Sequence, residues 1–194
     1  MTTEERLKEA ARNEFMQKGF AATKTRDIAK AAGTNLALLN YYFRSKEKLF
    51  EIIMSENIDQ LFSLILPVLN DTETSLAQKL SLISNHYTTI LLAEPNLPIF
   101  VLSEIQNHPE RFGNQIKLNT AIMQSTYIAQ LGEADKETDP VQHFITYLGI
   151  LLFPFIMKPV MKATGVINNE AFVENVQKRQ EMAPMWMMRI LKLG

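Results

Sequence analysis

Residues 31–50 read AAGTNLALLNYYFRSKEKLF and set three adjacent aromatics, Tyr41, Tyr42 and Phe43, beside Arg44, Lys46 and Lys48. A core favours the rings and water favours the cations, so the stretch must face two ways at once. Aromatic and cationic groups presented together suit a polyanion, above all nucleic acid. Other chemistries lack their residues. The three histidines, His86, His108 and His143, show no metal-ligand spacing, and no cysteine is present to act as thiolate or disulfide. The seven glycines are scattered, so no phosphate-cradling loop is formed. No catalytic residue, metal site or cofactor is expected, and the chain does not read as an enzyme.

The charge is distributed unevenly. Residues 1–48 hold ten basic and six acidic side chains, a net +4, whereas residues 49–194 hold ten basic and fifteen acidic ones, a net −5. A basic end on an acidic body fits a polyanion-binding module attached to a partner-binding body. With 46% hydrophobic and 21% charged residues over 194 positions, the chain can build an ordinary globular core. The opening MTTEERLKEAARNEF is charged and amphipathic, unlike a secretory signal. The longest apolar run, FITYLGILLFPFIM at 144–157, is shorter than the roughly 20 residues that cross a bilayer. A buried helix, no membrane and a cytoplasmic location are the expectations.

Behind these residues stands a helical chain, because apolar positions recur at three and four and nowhere alternate as in a strand. Leu7, Ala11 and Phe15 line a first helix closed by Gly19. Thr25 is placed to cap a second, short helix carrying Ile28, Ala29 and Ala32 and ending at Gly33. A third runs from about Asn35 to Phe43, and Ser45 caps a fourth that extends toward Pro67. Further on, Leu76, Leu80, Ile83, Tyr87 and Leu91 form one stripe, and a shorter helix covers Pro98–Asn107. Another is expected from Pro109, carrying Ile116, Met123 and Tyr127 before Gly132. Pro140 opens an apolar helix ending near Pro159, and Asn168 or Asn169 caps a last one that Pro184 should kink or split. The fold class is all-α, with a three-helix N-terminal domain at 1–48 and a larger helical domain at 49–194.

Spaced at ~100° per residue about Leu39, the third helix puts Asn35, Leu36, Tyr42 and Phe43 on the inner side and Ala37, Tyr41 and Arg44 on the outer side. Leu38 and Asn40 fall at the flanks. Ile28, Leu39 and Tyr42 are then expected to fill the wedge of a helix-turn-helix, with small Ala29 at the crossing and Gly33 at the left-handed turn. A helix held this way offers its outer face to the DNA major groove.

The segment FMQKGFAATKTRDIAKAAGTNLALLNYYFRSKEKLF resembles the N-terminal signature of the TetR family of bacterial transcriptional regulators. The match covers residues 5–50 and includes the Gly–Phe turn, Thr25, the Ile–Ala pair, Ala–Gly, Leu39, Tyr–Phe and the Ser–Lys–Glu–Lys–Leu start of the fourth helix. It implies about nine helices, a homodimer and a ligand pocket in the C-terminal domain. It further implies Thr25, Lys46 and Tyr42 or Tyr41 as phosphate anchors, with Thr34, Asn35, Leu36, Ala37 and Asn40 near base edges and Arg44 beside them. Thr34–Asn35 stand where many members have Val–Ser, and Asn40 where many have tyrosine; Leu36 and Leu38 replace polar residues. Asn40 suits adenine and the leucines suit thymine methyls. The expected partners are double-stranded operator DNA, a second copy of the chain, and a small-molecule effector of largely apolar character. The function expected is that of a repressor on a palindromic operator, released by the effector. A helical interaction protein that keeps the fold without operator specificity is the alternative.

For the C-terminal domain, helices at 141–158 and 170–192 carry more apolar surface than one face needs, with Phe144, Leu148, Leu152, Phe155, Met182, Met185, Trp186 and Ile190. They are the expected dimer interface. His86, Tyr87, Tyr127, His143 and Tyr147 are polar-tipped residues on apolar helices, suited to line a pocket and orient a ligand.

Overall fold

The computed structural model describes residues 1–107 and 117–193, and these form ten helices with no strand. They are α1 Thr3–Ala22, α2 Thr25–Ala31, α3 Leu36–Phe43, α4 Lys46–Asn70, α5 Leu76–Ala93, α6 Leu97–Asn107, α7 Lys117–Met123, α8 Thr126–Ala134, α9 Pro140–Ala163 and α10 Asn169–Ile190. The all-α expectation holds. The helix start expected at Pro109, its Ile116, and His108 lie outside the described residues. The chain divides into two compact units, Met1–Leu61 and Phe62–Gly194. This division falls beyond the 48/49 boundary expected from sequence because Leu49, Phe50, Ile53 and Met54 of α4 are buried with the N-terminal helices.

In the N-terminal unit local signals decide most of the structure. Thr2 and Glu5 form a reciprocal capping box at the start of α1. Gly19, at φ 75°, breaks the helix where Phe20 must turn inward. The Phe15, Phe20 and Phe50 rings then meet, with Phe15 edge-on to Phe50 at 5.0 Å and Phe20 at 4.7 Å from it. Helix α2 begins at Thr25 itself, and the capping position is Lys24 without a side-chain bond, so Thr25 is not the cap. Threonine instead acts two residues earlier, where the Thr23 hydroxyl donates to the Gly19 carbonyl at 2.8 Å. Helix α2 ends in a Schellman motif: Gly33, at φ 63°, donates to Lys30 and Thr34 donates to Ala29. Asn35 caps α3 by accepting from Leu38 N–H at 3.0 Å, and Ser45 caps α4 by accepting from Lys48 N–H at 3.1 Å. Leu7, Phe15, Ile28, Leu39, Phe43 and Leu49 close the core, each stabilising the unit by about 1.5–3 kcal/mol through burial.

In the C-terminal unit long-range side-chain bonds complete what the helices leave open. Pro184 does not split α10, which continues through it to Ile190. Lacking an N–H, Pro184 frees the Gln180 carbonyl four residues back, and the buried Ser84 hydroxyl of α5 donates to that oxygen at 2.8 Å. Pro154 likewise frees Ile150 in α9, and the Arg179 guanidinium of α10 donates to it at 3.1 Å. The fully buried Lys79 of α5 donates to the Leu69 carbonyl in the last turn of α4 at 3.2 Å and to the Thr126 hydroxyl, which itself donates to Leu69 at 2.8 Å. These orphaned backbone acceptors would otherwise be buried without partners.

Helix α9 has 24 residues, so the segment is longer than its apolar run suggested, and both α4 and α9 are long and apolar enough to cross a bilayer. In α9, His143, Tyr147, Leu151 and Phe155 recur every four residues as the buried stripe, whereas Ile145, Phe153 and Val160 are exposed.

Candidate nucleic-acid interface and ligand cavity

Helix α3 has two faces set by its anchors. Leu39 and Phe43, one turn apart, are the buried pair. Tyr42 is 39% exposed and does not fill the wedge; it lies about 60° from Leu39, and Phe43, nearer that direction, occupies the space instead. Tyr41 is 70% exposed and packs edge-on to Tyr42, the ring centroids 5.2 Å apart. Asn40 and Ala37 are exposed, Leu38 is on the surface, and Leu36 is half-buried. The Asn35 oxygen is committed to its cap, and the buried Thr34 hydroxyl has no partner. Thr25 is half-buried at the first turn of α2.

The cations of this unit divide into two sets. Lys8 and Arg12 of α1 meet Glu56 of α4 at 2.7 and 2.9 Å, Lys18 meets Glu14 at 2.5 Å, and Lys48 meets Glu51 at 3.3 Å. Lys46 was expected as a free phosphate anchor. Its ammonium instead donates to the carbonyls of Phe20 and Thr23, at 2.9 and 3.1 Å, and lies 4.2 Å from the centre of the Phe20 ring. The Gly19 break leaves those two carbonyls without helix partners, and the start of α4 puts Lys46 within reach. Among the described residues Lys24, Arg26, Lys30 and Arg44 are exposed and make no ion pair. Sequence reading missed Lys24, Arg26 and Lys30 as contact candidates. The available signal was their place around Ile28 and Ala29, the positions that α2 turns inward.

Arg44 sits at a sharp link. With φ 68° and ψ −48° it is the centre of a γ-turn in which Ser45 N–H donates to the Phe43 carbonyl at 2.7 Å, joining α3 to α4 through two residues. A side chain at that φ carries strain of order 1–3 kcal/mol.

The C-terminal unit contains a cavity of about 180 Å³. Phe62, Ile65 and Leu69 of α4 form part of its wall, with Ile83, Ile122, Phe144 and Leu148 completing the apolar lining. Tyr87, Tyr127 and Tyr147 also line it. Burial pushes the Tyr87 hydroxyl up to about 12 and those of Tyr127 and Tyr147 further up, so all three remain protonated donors. Tyr147 donates to the Leu80 carbonyl at 2.7 Å, whereas the buried Tyr127 hydroxyl has no partner. His86 and His143 are not in the lining. His143 is buried beside Asp135, its Nε2 3.0 Å from the carboxylate, and His86 is half-buried on α5 with a buried Nδ1 that has no partner. Phe155, expected at an interface, is core and packs edge-on to Phe172 at 5.4 Å.

Residues 7–53 match the family described as bacterial regulatory proteins, tetR family. Over 174 residues the chain is 29% identical to a protein of Bacillus subtilis described as probable HTH-type transcriptional regulator YttP, covering 80% of this chain and 78% of that one. It is 28% identical over 153 residues to the HTH-type transcriptional repressor KstR2 of Mycolicibacterium smegmatis, covering 72% of each. The fold is similar to that of the fatty acid degradation regulator FadR from Bacillus halodurans, with a TM-score of 0.63, 21% identity and 95% of each chain covered. The matched segment contains α3, which presents Asn40 and Tyr41 outward, and in this segment the chain is similar to the bacterial regulatory proteins of the tetR family.

Proposed function

We propose that this protein is a repressor that binds a palindromic operator as a homodimer and is released when a small molecule occupies the C-terminal cavity. The observation that carries the reading is the outer face of α3, where Asn40 and Tyr41 stand in water, in a unit that also exposes Lys24, Arg26, Lys30 and Arg44 without an ion pair among the described residues. Asn40, with Ala37 and Leu36, reads base edges, and Thr34 and Asn35 enter the groove at the helix start. Tyr41, Tyr42, Thr25 and Arg44 hold phosphates, joined by Lys24 and Arg26. Lys46 has one ammonium hydrogen left after its two carbonyl bonds, so it contributes mainly by fixing the turn that precedes α2.

One short recognition helix covers too few base pairs for an operator, so two copies read half-sites about 34–36 Å apart. The stripe of Ile145, Gly149, Phe153 and Val160 on α9, with Met182, Met185 and Ile190 of α10, supplies apolar surface for a second copy. Phe153→Glu is expected to give a monomer in sedimentation and to abolish operator binding. A variant that stays dimeric removes α9 from the interface.

Helix α4 connects sensing to binding, because Phe62, Ile65 and Leu69 line the cavity and Lys46, Leu49 and Phe50 belong to the DNA-binding unit. A coupling of ~1–3 kcal/mol lowers operator occupancy 5- to 150-fold. The protein acts in the cytoplasm, where its DNA is. Selection of bound fragments from genomic DNA tests the whole reading: an enriched palindrome is expected, and its absence would turn the assignment toward an interaction protein.

A further inference from the structure

The cavity's walls restrict what can fill it, and this inference rests on the reading of the C-terminal unit as the sensing body. We infer that the cavity takes an uncharged, single-ring molecule bearing one hydroxyl group, of the phenol or aryl-alcohol class.

Size comes first. An engineered cavity of ~150 Å³ lined by apolar side chains holds one benzene ring and stays dry, so about 180 Å³ accommodates one ring with a small substituent. A steroid, a long acyl chain or a nucleotide conjugate exceeds it.

Charge comes second. Among the described residues no acidic, basic or histidine side chain lines the cavity. A carboxylate or phosphate buried there would meet no cation, and an ammonium would meet aromatic rings but no carboxylate. The buried Lys79 is turned to the Leu69 carbonyl and the Thr126 hydroxyl.

Hydrogen bonding comes third. Tyr127 lines the cavity, and its buried hydroxyl has neither a donor nor an acceptor of its own. The Tyr147 hydroxyl has given its proton to Leu80 and keeps only acceptor capacity, which it shares with the neighbouring Ser84 side chain. A ligand hydroxyl is complementary to this pair, since it accepts from Tyr127 and donates to Tyr147. A carbonyl uses only the first of these, and a hydrocarbon uses neither.

The test uses the full-length protein, thermal shift and calorimetry, and four single-ring probes of similar size: p-cresol, toluene, benzoate and benzylammonium. p-Cresol is expected to bind and raise the unfolding midpoint, with toluene roughly tenfold weaker, the worth of one neutral hydrogen bond. The two ions should leave the midpoint unchanged. Tyr127→Phe should retain toluene binding and remove most of the preference for p-cresol. Binding of either ion as tightly as p-cresol, an undiminished p-cresol preference in Tyr127→Phe, or no binding of any neutral probe would overturn the inference. An operator-release assay separates this from the reading beneath it. p-Cresol that binds through Tyr127 yet leaves operator affinity unchanged sinks the effector role alone, whereas release by a charged or multi-ring compound sinks the ligand class alone.

Discussion

The two units use the chain's five tyrosines in opposite ways. Tyr41 and Tyr42 hold their rings in water on the outer side of α3, while Tyr87, Tyr127 and Tyr147 converge on an enclosed apolar space. The side chain is the same, and the difference lies in what its hydroxyl meets. A hydrated phenol costs nothing to hold and is free to be covered by a partner. A phenol stripped of water must find a bond inside the protein or remain unsatisfied at a cost of ~1–3 kcal/mol. Tyr147 has found its bond in Leu80, and Tyr127 has not. Exposure marks the surface that binds a large partner, and a missing internal bond marks the space that binds a small one.

The largest expected effect tests the two faces of α3 against each other. Leu39→Ala should lower unfolding stability by about 2–5 kcal/mol, since losing a fully buried side chain leaves a void in the core of the unit. Tyr41→Ala should stay within about 0.5 kcal/mol of the parent in the same urea titration and weaken operator binding roughly tenfold or more. Equal stability losses at the two positions would erase the division between anchor and contact.

The next effect separates the buried phenols by sign. Tyr127→Phe deletes an unpartnered hydroxyl and should raise stability by about 1 kcal/mol, whereas Tyr147→Phe breaks a bond to Leu80 and should lower it by about 1 kcal/mol. Two changes of the same sign, read from denaturation midpoints, would mean that the two hydroxyls share one environment.

The same contrast explains which parts of the fold were legible in the sequence. The N-terminal unit is written in short-range signals: Gly19 and Gly33 at positive φ, Asn35 and Ser45 as caps, and Leu39 one turn from a second anchor. Of the inward assignments on α3, Asn35 is exposed at its capping position, and Tyr42 failed because it and Phe43 both lie within reach of the core direction and only packing decides between them. Lys46 looked free because its acceptors, Phe20 and Thr23, lie more than twenty residues away. In the C-terminal unit nearly every deciding contact is of that distant kind. Pro184 reads as a helix breaker until Ser84, 96 positions earlier, is seen to take up the carbonyl it frees. Three of five expected cavity residues line it, and the two histidines do not, because ring polarity alone does not say which neighbour satisfies it.

A smaller effect concerns the strained link after α3. Arg44→Gly should raise stability by about 1 kcal/mol, as the positive φ ceases to cost and the greater freedom of unfolded glycine offsets part of the gain. Operator affinity should nevertheless fall, with the salt dependence shallower by about one counterion. A variant that gains stability and keeps its full salt slope would remove Arg44 from the phosphate contacts.

The smallest effect checks whether His143 stands outside the cavity. Its partner Asp135 is held down to about 2, first by the Thr138 side chain, then by the Glu137 N–H, with His143 adding to these. Because the folded value lies below the unfolded one, the contribution of Asp135 is fully present above about pH 4 and is lost as pH falls toward 2. Asp135→Asn should therefore flatten the acid side of the midpoint-versus-pH curve in that window. Since His143 and Asp135 line no part of the cavity, the same variant should bind p-cresol as the parent does at pH 7. A flattened acid limb accompanied by weakened p-cresol binding would place the Asp135–His143 pair in the ligand site and reduce the three tyrosines to part of a larger polar lining.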